Sequence, residues 1–131
     1  LVVLTRRDLS RERNHTVVID LRHTCLAGVV VPGADLSGMS FVGADLHGAE
    51  LVRAHGSLVG FDDADLVDVR LDQAHFGSFV FIDNADMTRA NLTDADLSNV
   101  QFHGVNLTGA THDGANTTDA THDAATIGAW W

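Results

Sequence analysis

Asp45, Asp65 and Asp86 stand 20 and 21 residues apart. At that spacing carboxylates stack into one column only if the chain returns on itself once per interval. A stacked column of that kind is a ribbon of negative charge, which attracts cationic surfaces and repels phosphate. Asp62 and Asp68 fall close to the same column and extend the acidic set. A second series, Asp35, His55, His75 and Asp96, has the same intervals and mixes imidazole with carboxylate, the ligand types of Zn²⁺ sites. Polar ladders of this composition are also ordinary surface features of stacked coils, so neither a metal nor any other cofactor is expected. Cys25 follows Arg22 and His23, cations of the kind that activate thiols, but as a lone thiol in one early unit it reads as incidental. The Ser residues near His lack a third orienting group, so no nucleophilic triad can be built from them. No residue reads as catalytic.

What must position these residues is a five-residue repeat. Ala34–Gly38, Met39–Gly43, Ala44–Gly48 and Ala49–Arg53 each run small, polar, large apolar, then two mostly polar or glycine positions. From Ile19 the frame holds to Asp83, with large residues in steps of five from Leu21 to Phe81. One extra residue, assigned to Asn84, shifts it to Met87, and it continues in fives to Ile127. Neither an α-helix of ~3.6 residues per turn nor a flat strand keeps every fifth residue on one side. A corner once per unit does, with the large residue and the small one two before it both pointing inward. The trailing Gly, Asn, Asp and Ser supply the corner.

Phe41, Phe61, Phe81 and Phe102 set the number of corners. Their intervals of 20, 20 and 21 stack them in one inner column if four units make a coil. Gly56 leaves a gap in another column, which Phe76 one coil later is expected to fill. Val42, Val80 and Ile82 are expected outward on the Phe side as an apolar contact patch. His112, Thr117 and His122 take inward positions near the end, which predicts a wet or loosely wound last coil.

The Ala-Asp-Leu-x-x units at Ala34–Gly38, Ala44–Gly48, Ala64–Asp68, Ala90–Asp94 and Ala95–Asn99 resemble those of the pentapeptide-repeat proteins, and the resemblance runs over residues 19–129. It implies an all-β fold, a right-handed quadrilateral parallel β-helix of about five and a half coils. At ~4.8 Å per coil that is a rod roughly 26 Å long. Residues 1–18 read as an N-terminal cap, with Thr5–Asp8 spaced like a helix-capping box ahead of a short helix. Trp130 and Trp131 read as a C-terminal aromatic cap or as the joint of an end-to-end homodimer, since both uses hide an apolar edge. The chain opens on Leu1 and not on Met, which leaves a longer parent protein open.

The charge balance narrows the partners. Eighteen Asp and Glu against eight Arg and no Lys leave a net charge of −10. Residues 1–23 carry +2 and residues 24–131 carry −12. Direct nucleic-acid binding and anionic membranes are disfavoured by such a surface, and a basic protein partner suits it. No apolar run approaches the ~20 residues of a membrane-spanning helix, and Cys25, the single cysteine, cannot form an internal disulfide, so a cytoplasmic setting is expected.

A −12 region on a rod of roughly 26 Å has about one net charge per 2 Å, against one per ~1.7 Å of duplex DNA. The resemblance implies a matching role, because functionally understood family members are acidic rods that occupy the DNA site of type II topoisomerases and protect gyrase from quinolones. The leading expectation is therefore a non-enzymatic acidic binding module with Asp45, Asp65, Asp86, Asp62 and Asp68 on its contact faces. The competing reading is that Asp suits the polar slot and keeps the rod soluble. Its functional counterpart is a scaffold or spacer domain of a larger, membrane-attached bacterial protein.

Overall fold

The computed structural model describes residues 19–131. The cap and short helix expected over residues 1–18 lie outside the described residues. Among the described residues there are eight short strands: β1 (Ile19–Asp20), β2 (Met39–Ser40), β3 (His55–Gly56), β4 (Val59–Gly60), β5 (His75–Phe76), β6 (Val80–Asp83), β7 (Gln101–His103) and β8 (Thr121–His122). Six of them form one parallel sheet in the order β1-β2-β4-β6-β7-β8, and β3 pairs with β5. The remaining two sides are held by single parallel bridges. One runs Cys25, Asp45, Asp65, Asp86, Asn106, and the other Val30, Glu50, Arg70, Asn91, Thr111. The fold is thus a four-sided parallel β-solenoid, and no helix occurs among the described residues.

The repeat explains why. At each corner, between one unit and the next, the chain closes a turn, as where the Ala44 amide donates to the Phe41 carbonyl at 2.9 Å. Between coils it pairs like a sheet: the Leu46 amide donates to the Asp65 carbonyl at 2.8 Å and the Asp65 amide to the Ala44 carbonyl at 3.0 Å. The core is a stack of Leu, Phe and Ala, and among the described residues no polar or charged residue is buried. Phe41 and Phe61 stack at 5.2 Å, and Phe76 meets the Phe61 ring edge-on at 5.9 Å.

Four expectations need correction. The extra residue is not Asn84. The Leu58 amide donates to the Ser78 carbonyl as the Gly38 amide does to that of Ser57, which leaves Gly77 as the insertion. Ile82 then takes the inner column at 1% exposure and Phe81 turns outward at 44%. Volume decides this: the alternative frame would send both Phe79 and Phe81 inward above Phe61, overfilling a lane that Val80 and Ile82 fit. Asn84 instead occupies an ordinary corner, at φ 55°.

For the same reason Val80 and Ile82 are buried and are not an outward patch. Gly56 leaves no gap either. A Cβ there would meet Val59 Cγ2 at 2.9 Å and the Ser37 nitrogen at 3.0 Å, so glycine is present because the coil below approaches closely. Finally, a second slip between His122 and Ile127 puts Ile127 opposite Asn106 in an outward slot. The last coil is correspondingly open, with His122 exposed and His112 and Thr117 half-buried.

Candidate functional site

The outward residue just before each large one faces solvent because alternation in an extended segment demands it. On the side bridged through Asp45, Asp65 and Asp86 these residues form a column, one per coil. Each also holds its own corner. Asp45 Oδ1 accepts from the His47 amide at 3.1 Å, Asp65 Oδ1 from the Val67 amide at 3.1 Å, and Asp86 Oδ1 from the Thr88 amide at 3.0 Å. This is the Asx-turn bond, in which a short side chain substitutes for a backbone carbonyl. Asn91, Asn106 and Asn116 make it equally well, to the amides of Thr93, Thr108 and Thr118. The bond accounts for Asp or Asn in the slot, and the choice of Asp adds the charge.

The other acids divide by their neighbours. Asp62 lies across the adjoining corner, where its Oδ1 accepts from the Asp83 amide of the next coil at 3.0 Å. With Asp63 and Asp83 it widens the column of Asp45, Asp65 and Asp86 into one acidic face. Asp68 does not extend that face as a bare charge. Arg89 grips it with Nε and Nη2, both at 2.7 Å, and this guanidinium holds the Asp68 carboxyl below its ordinary range. Arg70 lies 3.2 Å from Asp72 and 3.9 Å from Glu50. The three Arg of residues 24–131, namely Arg53, Arg70 and Arg89, all border the side that carries Glu50 and Arg70. Within residues 24–131 the Arg thus border one side, and Arg89 stands on the corner it shares with the Asp45, Asp65 and Asp86 side.

Three further carboxylates are held below their usual range. A bidentate contact from Arg22 takes Asp20 down to about 2. The Gly104 amide, aided by Thr126, lowers the pKa of Asp123. At Asp96 burial opposes the charge, yet bonds from Ser98 and Asn116 and the nearby His75 outweigh it.

The His series stands on β3 and β5 as the spacing predicts, with Asp35, His55, His75 and Asp96 in adjacent coils. His55 Nδ1 leans to Asp35 at 3.8 Å and His75 Nδ1 to Asp96 at 3.1 Å, so they form two divergent pairs. Among the described residues no group of three or more His, Cys, Asp or Glu side chains could hold a metal ion. Cys25 is exposed, with its Sγ 3.9 Å from Asp45 Oδ2. At the C-terminal end Trp130 stacks on His112 at 4.0 Å and 4°, while Trp131 packs on Phe102 at 5.2 Å.

One group escaped the sequence reading. Leu58, Phe79 and Phe81 are all exposed on a single corner, 55%, 67% and 44% respectively. Their signal was legible, since Leu58 sits in the corner slot that Gly38 and Asn99 fill elsewhere, but the misplaced insertion hid Phe79 and Phe81.

Among the described residues no helix is long and apolar enough to cross a membrane. No curated protein sequence matches the chain. Among solved structures, HetL, a protein involved in heterocyst differentiation regulation in the cyanobacterium Nostoc sp. strain PCC 7120, is 25% identical with a TM-score of 0.42, over 77% of this chain and 48% of that one. A pentapeptide repeat protein of the Arabidopsis thaliana thylakoid lumen is also 25% identical, with a TM-score of 0.36, over 80% and 66%. QnrB1, a plasmid-mediated fluoroquinolone resistance protein, is 17% identical with a TM-score of 0.39, over 87% and 88%. The chain therefore spans about half the length of the first of these and two thirds of the second. The family model for pentapeptide repeats matches residues 19–55, 40–77 and 78–109, and its last break falls at the Gly77 insertion. Five-residue units, four sides and that sustained match together make the chain a member of the pentapeptide-repeat family.

Proposed function

We propose that this chain is a binding module without catalytic activity, whose acidic faces engage a basic protein surface. In its most specific form it mimics duplex DNA at a type II topoisomerase such as gyrase. The observation that carries the reading is the face on which Asp45, Asp65 and Asp86 stack at one-coil intervals beside Asp62, Asp63 and Asp83. Carboxylates ~4.8 Å apart along a column approach the charge spacing of a phosphate backbone. In this reading the module works in the cytoplasm, and the Trp130 and Trp131 end serves as a lid or as a homodimer joint.

The scaffold reading has its own support in the Asx-turn bonds, which explain Asp or Asn at Asp45, Asp65, Asp86, Asn91, Asn106 and Asn116 without any partner. Supercoiling by gyrase, with and without a quinolone and at rising salt, separates the two. The mimic should inhibit supercoiling or relieve the drug at low salt and lose the effect as salt rises. Asp45→Asn, Asp65→Asn and Asp86→Asn together should weaken it. A protein that changes neither activity is not a gyrase-directed mimic. A solution mass from scattering distinguishes monomer from end-to-end dimer.

A further inference from the structure

Three departures from the repeat meet on one corner of the rod. Gly77 is inserted there, the corner slots hold Leu58 and Phe79 with φ of 58° and 64°, and Phe81 occupies an outward slot. The same column of corners carries Gly38 and Asn99, and the outward slot carries Ser40, Gly60, Gln101 and Thr121 in the other coils. Left-handed backbone is costly for bulky side chains, and a leucine or phenylalanine there is a true outlier. Large apolar side chains held in strained backbone and turned to water are a combination that folding alone disfavours, and one that clusters at binding sites. Gly60, directly below Phe81, bares the ground beside the ring toward Val42. A shallow depression opens beside it, lined by Ser78, Phe79, Val80, Phe81, Asn99 and Gln101.

The charges around the corner say what fits. From residue 39 onward, this corner carries Asp119, the far end of the adjoining β2–β8 side and the corner beyond it carry Asp62, Asp63, Asp83 and Asp123, and none of them carries Arg or Lys. We propose that Leu58, Phe79 and Phe81 form the anchor site for a protein segment that presents apolar side chains flanked by Arg or Lys. The proposal rests on the reading that the partner is basic, and adds the place and the apolar part of its recognition. The anchors supply desolvated contact, as aromatic residues do at the centre of interfaces, and the surrounding Asp supply register and on-rate. A second copy of this chain is the wrong occupant. A two-fold interface at this corner brings Asp62, Asp63 and Asp83 toward their own symmetry mates, and like charges oppose it.

The test uses the whole chain and three synthetic peptides: Leu-Phe-Leu between Arg pairs, Ser-Ser-Ser between the same Arg pairs, and Leu-Phe-Leu between Glu pairs. The first should bind about tenfold more tightly than the second, the scale of one buried aromatic anchor, and the third should not bind. Its amide shifts should centre on Leu58, Gly60, Phe79 and Phe81. Combining Leu58→Gly, Phe79→Asn and Phe81→Gln gives each slot the residue of an adjacent coil. That variant should abolish the advantage of the first peptide, keep the affinity of the second, and melt no lower than the parent. Phe81→Gln alone repeats the binding test without touching the strained corners.

Equal binding of the two Arg peptides would overturn the anchor site while leaving the acidic reading intact. Failure of both would remove the acidic reading and the anchor site with it. A dimer that the variant converts to monomer would make a second copy the occupant and overturn the proposal. A marked fall in melting temperature in both variants would show the corner to be structural and overturn it equally.

Discussion

Replacing Asp45, Asp65 and Asp86 together by Asn isolates what their charge does from what their shape does. Each side-chain oxygen that accepts an amide two residues on is retained by Asn, as Asn91, Asn106 and Asn116 already demonstrate. The turns should therefore survive, and three of the ten net negative charges disappear. Neighbouring carboxylates one coil apart, at ~4.8 Å, repel by about 0.9 kcal/mol in the dielectric of water. A screening length of ~8 Å at physiological salt roughly halves that. Two neighbouring pairs and the weaker end-to-end pair together come to about 1 kcal/mol. The triple variant should be more stable than the parent by that amount in urea unfolding, with an unchanged denaturant slope, and the gain should shrink to about 0.3 kcal/mol in 1 M salt. A loss of more than about 1 kcal/mol at low salt would refute the reasoning, since the carboxylates would then be holding the rod together. A column that costs stability and is kept as Asp where Asn would serve is explained by something outside the fold.

Two further outcomes follow from the geometry. Gly56→Ala should lower stability by about 1–3 kcal/mol, the range for overpacking a filled core, because its methyl meets Val59 and the backbone at Ser37; an unchanged urea midpoint would show that the coils part easily. The Asp68 carboxyl, held low by Arg89, adds stability that is present above its unfolded value of ~3.9 and lost as pH falls through the lower folded value. The melting-temperature difference between the parent and Arg89→Gln should accordingly narrow as pH drops below about 4, and a difference that stays constant down to pH 2 would contradict the pairing.

Much of the site was legible in advance, for a physical reason. Asp45, Asp65 and Asp86 had to share a column once the coil length was known, and the same holds for His55 and His75. What their side chains do there was not legible, because it depends on neighbours one coil away. Asp68 reads like any outward acid, yet Arg89, 21 residues later, neutralises it. The corner of Leu58, Phe79 and Phe81 was hidden by a degeneracy: residues 79–82 are all apolar, so both frames give an apolar interior.

By itself, the sequence determined the period, the four sides and the acidic balance. A large residue every fifth position can be buried only by a chain that turns once per unit. Tertiary structure alone decided where the frame slips. Inward Phe79 and Phe81 would overfill the lane above Phe61, and Val80 and Ile82 fill it, so volume turned two rings outward onto a strained, acid-rimmed corner. The period follows from polarity, which each residue carries with it. The slip follows from packing, which exists only between coils.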